Sequence, residues 1–184
     1  CLQPLVVRRL ASGRFEIVVG ERRWRAAQLA GIDSVPAIIR DLNNDETAKI
    51  ALIENLQRED LNSMDQARGL LRLQREFNLT QEELGTSVGK SRSTVTNLLR
   101  LLNLTADVQS MLEEGKIEMG HARSLLSLTE AEQLECAKRV VSESMSVRQC
   151  EALVATFSSA KKIKNSQAKS KDPNTRLLEK ELSE

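Results

Sequence analysis

The stretch Thr80-Gln81-Glu82-Glu83-Leu84-Gly85-Thr86-Ser87-Val88-Gly89-Lys90-Ser91-Arg92-Ser93-Thr94-Val95-Thr96-Asn97-Leu98-Leu99-Arg100 decides how the rest of the chain is read. Thr80, with Glu83 three residues on, is a capping-box pattern, so a helix is expected from about Gln81 to Val88. Gly89 supplies a tight turn, and Ser91 is placed to cap a second helix. Leu84, Val88, Val95, Leu98 and Leu99 fall where they can pack the two helices together. Arg92, Ser93, Thr94, Thr96, Asn97 and Arg100 are left to project outward, with no acid across the second helix. Short hydrogen-bond donors and guanidiniums on one helix suit base edges and phosphates in a major groove. The competing reading is an αα-hairpin with an ordinary polar outer face. The acid-free face favours DNA.

Downstream of Asp60 the signals are helical only. Capping-box patterns recur at Ser63…Gln66, Thr129…Glu132 and Ser146…Gln149, Thr105 reads as a simple N-cap, and Gly115 would close the helix begun after it. The caps are unequally spaced, so no repeat array is implied. From Ser158 to Asn174 the chain turns to Ser, Lys, Gln and Asn without apolar period, which reads as a linker, and Leu177-Leu178…Leu182 would start another element. Upstream, strand and helix signals alternate. Leu5-Val6-Val7 and Phe15-Glu16-Ile17-Val18-Val19 predict a hairpin across Ala11-Ser12-Gly13. A helix is expected from Glu21 to about Ala30, closed by Gly31, then a strand over Val35–Ile39 and a helix from Asp45 to about Gln57. The fold class is therefore α+β: a small mixed α/β N-terminal domain followed by an all-helical one.

Composition narrows the function. Of 184 residues, 40% are apolar but only 2% aromatic, so cores must be built from Leu, Val, Ile and Ala. Lys and Arg (27) nearly cancel Asp and Glu (26), so a basic footprint must come from local arrangement rather than net charge. Cys1, Cys136 and Cys150 show neither metal-ligand spacing nor a disulfide framework, so a reduced, cytoplasmic protein is expected. No apolar stretch has the length of a membrane span, and no signal peptide is evident. The first residue is Cys within reach of an apolar run, which reads as a fragment of a longer chain.

Two further segments carry chemistry. At Gly20-Glu21-Arg22-Arg23-Trp24-Arg25, three arginines enter a helix at its positive end. Gly20, without a Cβ, would let a ligand approach the strand-to-helix junction. The first-turn N–H groups and the Arg22 and Arg23 guanidiniums could hold phosphate oxygens. The alternative is surface pairing of these arginines with Glu16 or Glu21. Neither a Walker A loop nor a dinucleotide fingerprint is present. In Ala51-Leu52-Ile53-Glu54-Asn55-Leu56-Gln57-Arg58 a carboxylate and a carboxamide adjoin within an apolar helix. Their oxygens suit a Mg²⁺ ion bridging to phosphates, with a plain surface Glu-Asn pair as the alternative.

Together, Gly20-Glu21-Arg22-Arg23, Glu54-Asn55-Leu56-Gln57-Arg58-Glu59-Asp60-Leu61, the helix-turn-helix and Met119-Gly120-His121-Ala122-Arg123 resemble the ParB family of partition proteins, in the family's order and over roughly Leu2 to Phe157. The resemblance implies a CTP-binding domain over 1–61 and a helical DNA-binding domain over 62–157 with its helix-turn-helix at 80–101. It also implies a linker over 158–174 and the start of a dimerisation domain over 175–184. Gly20, Glu21, Arg22, Arg23, Glu54 and Asn55 would bind CTP, with Glu54 and Asn55 holding Mg²⁺ and Glu54 supporting slow hydrolysis. Gln81, Ser91, Arg92, Ser93, Thr94, Thr96, Asn97, Arg100, Gly120, His121 and Arg123 would contact DNA. The family implication is a dimeric, nucleoid-associated clamp that loads at a palindromic parS site, slides onto neighbouring DNA and works with a ParA-type ATPase. It does not span a membrane. A nucleoid-occlusion (Noc-like) or regulatory paralogue reading a different site is the nearest alternative. A sulfiredoxin-like enzyme is the remote one, because no cysteine stands beside Gly20–Arg25.

Overall fold

The computed structural model describes residues 3–58 and 60–157. The expected linker and the start of the dimerisation region fall outside the described residues, as do Cys1 and Glu59. The chain divides between Leu99 and Arg100 into two compact units.

The first unit opens with the expected strands. β1 (Leu5–Arg9) and β2 (Phe15–Val19) are an antiparallel hairpin, and β3 (Ala37–Arg40) lies parallel to β1 on its other side, giving the order β2-β1-β3. Pairing sets Val7 opposite Ile17 and Ile39, so apolar side chains share one face of the sheet. Pro36, which has no N–H, stops just short of β3, and its carbonyl accepts from Leu5 N at 2.9 Å.

Helix α1 (Glu21–Leu29) connects β2 to β3. It ends as its sequence implies. Gly31 sits at φ 65°, Gly31 N donates to Gln28 O, and Ile32 N donates to Ala27 O. Those two bonds are the Schellman closure. α2 (Asn44–Leu56) begins with a reciprocal box between Asn43 and Glu46 and buries Leu56 against α3 (Ser63–Phe77). α3 is amphipathic, burying Met64, Ala67, Leu70 and Leu73 at helical spacing. Its cap differs from expectation. Asn62, one residue earlier than Ser63, accepts from Asp65 N at 2.8 Å, and Ser63 becomes the first helical residue.

α4 (Gln81–Val88) and α5 (Arg92–Leu101) form the helix-turn-helix. Thr80 and Glu83 make both bonds of the capping box, and Leu84, Val88, Val95 and Leu98 are buried. The turn crosses α4 at Gly85: a Cβ there would lie 2.6 Å from the Lys90 carbonyl oxygen.

The second unit is helical throughout its described residues: α6 (Ala106–Glu113), α7 (Met119–Leu125), α8 (Glu130–Ser142) and a further helix, α9, over 147–157. Thr129–Glu132 and Ser146–Gln149 bond reciprocally as their patterns predict. Thr105 does not cap with its side chain. Its Oγ1 is buried without a partner among the described residues, and its backbone N–H goes to the buried amide of Gln133 at 3.1 Å. Cys136 and Cys150 are buried free thiols, both pushed above the usual range by burial. No helix of the described residues is long and apolar enough to cross a membrane.

Candidate functional site

A cleft of about 420 Å³ is lined by Gly20, Glu21, Arg22 and Arg23 from the start of α1 and by Glu54, Asn55 and Arg58 from the end of α2. Two segments thirty residues apart in sequence thus share one wall each of the same depression. Gly20 caps α1 at φ 104°, a conformation that costs an L side chain, and it offers no capping group to the first-turn N–H donors. It is also hemmed in. An added Cβ would lie 2.8 Å from Leu5 Cδ2 and 3.1 Å from Arg23 Nη2. The junction therefore requires glycine for both its backbone angle and its space.

The arginines divide by task. Arg25 pairs with Glu21 one turn back, at 2.6 Å, and Arg8 takes Glu16, so neither acid on which surface pairing would depend is left for Arg22 or Arg23. Among the described residues, those two guanidiniums have no carboxylate partner at ion-pair distance. Arg23 is half-buried, and its Nη1 donates to the carbonyls of Gln3 and Pro4, each at 2.7 Å. It thereby ties the entry of β1 to the helix start. Arg22 is exposed at the cleft, close enough to Asp60 for its charge to act there.

Arg58 is a third cation on the cleft, which the sequence reading quoted but gave no role. It follows the C-cap residue Gln57 of α2, so it lies outside the helix that carries Glu54 and Asn55 yet lines the same cleft. Arg58 pairs with Asp60 at 2.7 Å, and its hydrogen bonding holds the Asp60 carboxyl below the usual range, with a smaller contribution of the same sign from Arg22. Glu54 and Asn55, from the same segment as Arg58, are both exposed. Among the described residues no group of three or more His, Cys, Asp or Glu could hold a metal. One carboxylate and one amide oxygen suit Mg²⁺, which takes few protein ligands and fills its shell with water and phosphate oxygens.

The helix-turn-helix presents a separate face. Ser91, Arg92, Ser93 and Arg100 are exposed, and Thr94, Thr96, Asn97 and Gln81 are half-buried. Ser91 Oγ accepts from Thr94 N at 3.1 Å, so it does cap α5. The Thr96 hydroxyl lies 2.7 Å from Gln81 Oε1, linking the first residue of α4 to the middle of α5. α5 carries no acid in its first turn and Arg100 in its last. In the second unit Arg100, Arg123 and Glu151 line one cleft of about 300 Å³ together with Gly120, Ser124 and Val147. His121 is buried at 6% exposure and both ring nitrogens have backbone partners, so it does not stand beside Arg123 as a free donor.

Comparison with known proteins returns one family for both units. A model of the ParB N-terminal domain matches residues 1–56, and a model of the ParB HTH domain matches residues 59–159. The chain is 49% identical over 183 residues to a probable chromosome-partitioning protein ParB of Pseudomonas putida, covering all of this chain and 63% of that protein. It is 52% identical over 153 residues to the Vibrio cholerae counterpart, covering 83% of this chain and 52% of that one. The chain thus spans less than two thirds of the length of these relatives. Among solved structures, C-terminally truncated ParB from Caulobacter crescentus complexed to the centromeric parS site matches with TM-score 0.79 and 42% identity, over 84% of this chain and 83% of that one.

Proposed function

The chain belongs to the ParB family of chromosome-partitioning proteins, and on that premise we propose that it is the nucleotide- and DNA-binding part of a CTP-dependent clamp that loads at parS. The observation that carries the nucleotide half is the single cleft uniting Gly20, Arg22 and Arg23 with Glu54, Asn55 and Arg58. Its chemistry is that of a triphosphate site. Uncapped first-turn N–H donors at a helix start and three guanidiniums face one depression, where charge-assisted hydrogen bonds to phosphate are strong. Glu21, engaged with Arg25, would brace the helix start rather than touch phosphate.

Mg²⁺, held by Glu54 and Asn55, would neutralise phosphate charge and orient the terminal group. Glu54 would also orient the attacking water, making the protein a slow, DNA-stimulated CTPase whose turnover acts as a switch. Cytosine selectivity rests on the family alone.

The DNA half rests on the exposed, acid-free face of α5 and on the parS complex of the Caulobacter relative. Arg92, Ser93, Thr94, Thr96 and Asn97 would enter the major groove, with Gln81 and Ser91 at its edge. Arg100 and Arg123 would hold phosphates. A palindromic site requires two copies, so the working form would be a homodimer, and a ParA-type ATPase would be the segregation partner. The division of labour would follow 1–61 for nucleotide and 62–157 for DNA.

A titration with CTP, ATP, GTP and UTP, each with and without a parS duplex, tests the reading. CTP alone should bind, and more tightly with parS. Equal binding of all four, or no effect of parS, would overturn it.

A further inference from the structure

His121 is the sole histidine of the chain and sits in the Gly120-His121-Ala122-Arg123 run. Its neighbours fix the role of each residue in that run. Gly120 faces α9: a Cβ would lie 2.8 Å and 3.0 Å from the two methyls of Val147, so glycine is what lets α7 and α9 approach. Ala122 is fully buried. His121 Nδ1 accepts from the backbone N–H of Glu118 at 3.1 Å, closing the first turn of α7 in the place where Glu or Gln closes a capping box. Its Nε2 lies 3.0 Å from the Met145 carbonyl oxygen. A carbonyl only accepts and an amide N–H only donates. The ring is therefore the neutral tautomer with hydrogen on Nε2 and a bare Nδ1. Met145 follows Ser144, which holds φ 46° at the end of α8, so the bond also secures a strained corner. Arg123, on the exposed side of the same helix, lines the cleft that Arg100 enters.

We infer that His121 is a positioning residue for DNA binding. It does not touch DNA. It pins the start of α7 to the 144–147 corner through both ring nitrogens, and so holds the Arg123 guanidinium in the same cleft as that of Arg100. Gly120 serves the same junction by its lack of a side chain. Only Arg123 of the run meets the nucleic acid. This deepens the DNA-binding reading and rests on it.

The test is a double-mutant cycle on parS affinity with the full chain, using His121→Phe, Arg123→Ala and the pair, read beside ring-nitrogen NMR of the unsubstituted protein. Each single substitution should weaken parS binding about tenfold, the scale of one hydrogen bond to a charged group, and the pair should be no weaker than either. His121→Gln, which keeps a donor towards Met145, should recover part of the loss. The ring should show a bare Nδ1 and a protonated Nε2, unchanged when the parS duplex is added. Additive losses, full affinity in His121→Phe, or a ring signal that changes on DNA would each overturn the assignment. Where His121→Phe does not fold, the ring signal and His121→Gln decide alone. Failure of the unsubstituted chain to bind parS would instead count against the DNA-binding reading, while the tautomer of the free protein would still judge the pin.

Discussion

Gly20→Ala is the substitution that most directly probes the cleft, because two separate penalties meet at one atom. The φ of 104° lies where an L residue is strained, at about 1–2 kcal/mol. The added methyl would also sit 2.8 Å from Leu5 Cδ2 and 3.1 Å from Arg23 Nη2. Leu5 is 4% exposed and Arg23 is tied to two carbonyls, so neither moves freely, and overpacking of this kind costs about 1–3 kcal/mol. Gly20 precedes the helix interior, so alanine recovers little helix propensity. The sum is about 2–5 kcal/mol, a large share of the stability of a small unit. With a urea m-value of about 2 kcal/mol/M, the transition should fall by about 1–2.5 M. Affinity for CTP should fall with it, because the carbon occupies the approach to the first-turn N–H groups. The cycle with Leu5→Val separates the causes: the smaller neighbour relieves the collision but not the backbone strain, leaving a favourable coupling. An unchanged urea midpoint in Gly20→Ala would refute the geometry at the junction. A lowered midpoint with full CTP affinity would remove Gly20 from the nucleotide site while leaving its structural role.

Arg23→Ala should abolish detectable CTP binding by calorimetry while parS binding persists; its two carbonyl bonds make a loss of about 1 kcal/mol in stability the expected accompaniment, and retained CTP affinity would reject the assignment. Glu54→Gln should still bind CTP but release phosphate far more slowly, and unchanged turnover would take Glu54 out of the chemistry. Arg100→Ala, as a phosphate contact, should weaken all DNA sequences alike and lower the salt slope by about one, whereas a change confined to parS would make it a base contact. Ser144→Gly should raise stability by about 0.5–1 kcal/mol in thermal unfolding, because Ser144 occupies at φ 46° the helix-end position that glycine holds without strain.

What the sequence could show follows from how far each partner lies along the chain. Thr80–Glu83, Thr129–Glu132, Gly31 and Gly115 signal through residues at most five apart, and the helices begin and end where those signals stand. Asn62 and Ser63 both have capping side chains, with polar residues three further on. Local chemistry cannot rank them, and packing of Met64, Ala67 and Leu70 sets the register. Thr105 misled for a different reason: Gln133, 28 residues away, takes its N–H in the place of a capping-box acid, while its hydroxyl caps nothing. The site repeats the pattern. The residue types of both cleft walls were visible, but not that Arg23 would divide its guanidinium between the cleft and the carbonyls of Gln3 and Pro4. His121 is the sharpest case. A lone histidine between a glycine and an arginine reads as either DNA-proximal or helix-packing until its ring nitrogens meet the Glu118 N–H and the Met145 carbonyl, the latter 24 residues on. The lesson is physical: a polar side chain in a binding motif binds with the hydrogen-bonding groups that its contacts elsewhere in the fold leave over. In this chain that test separates Arg123 from its own motif.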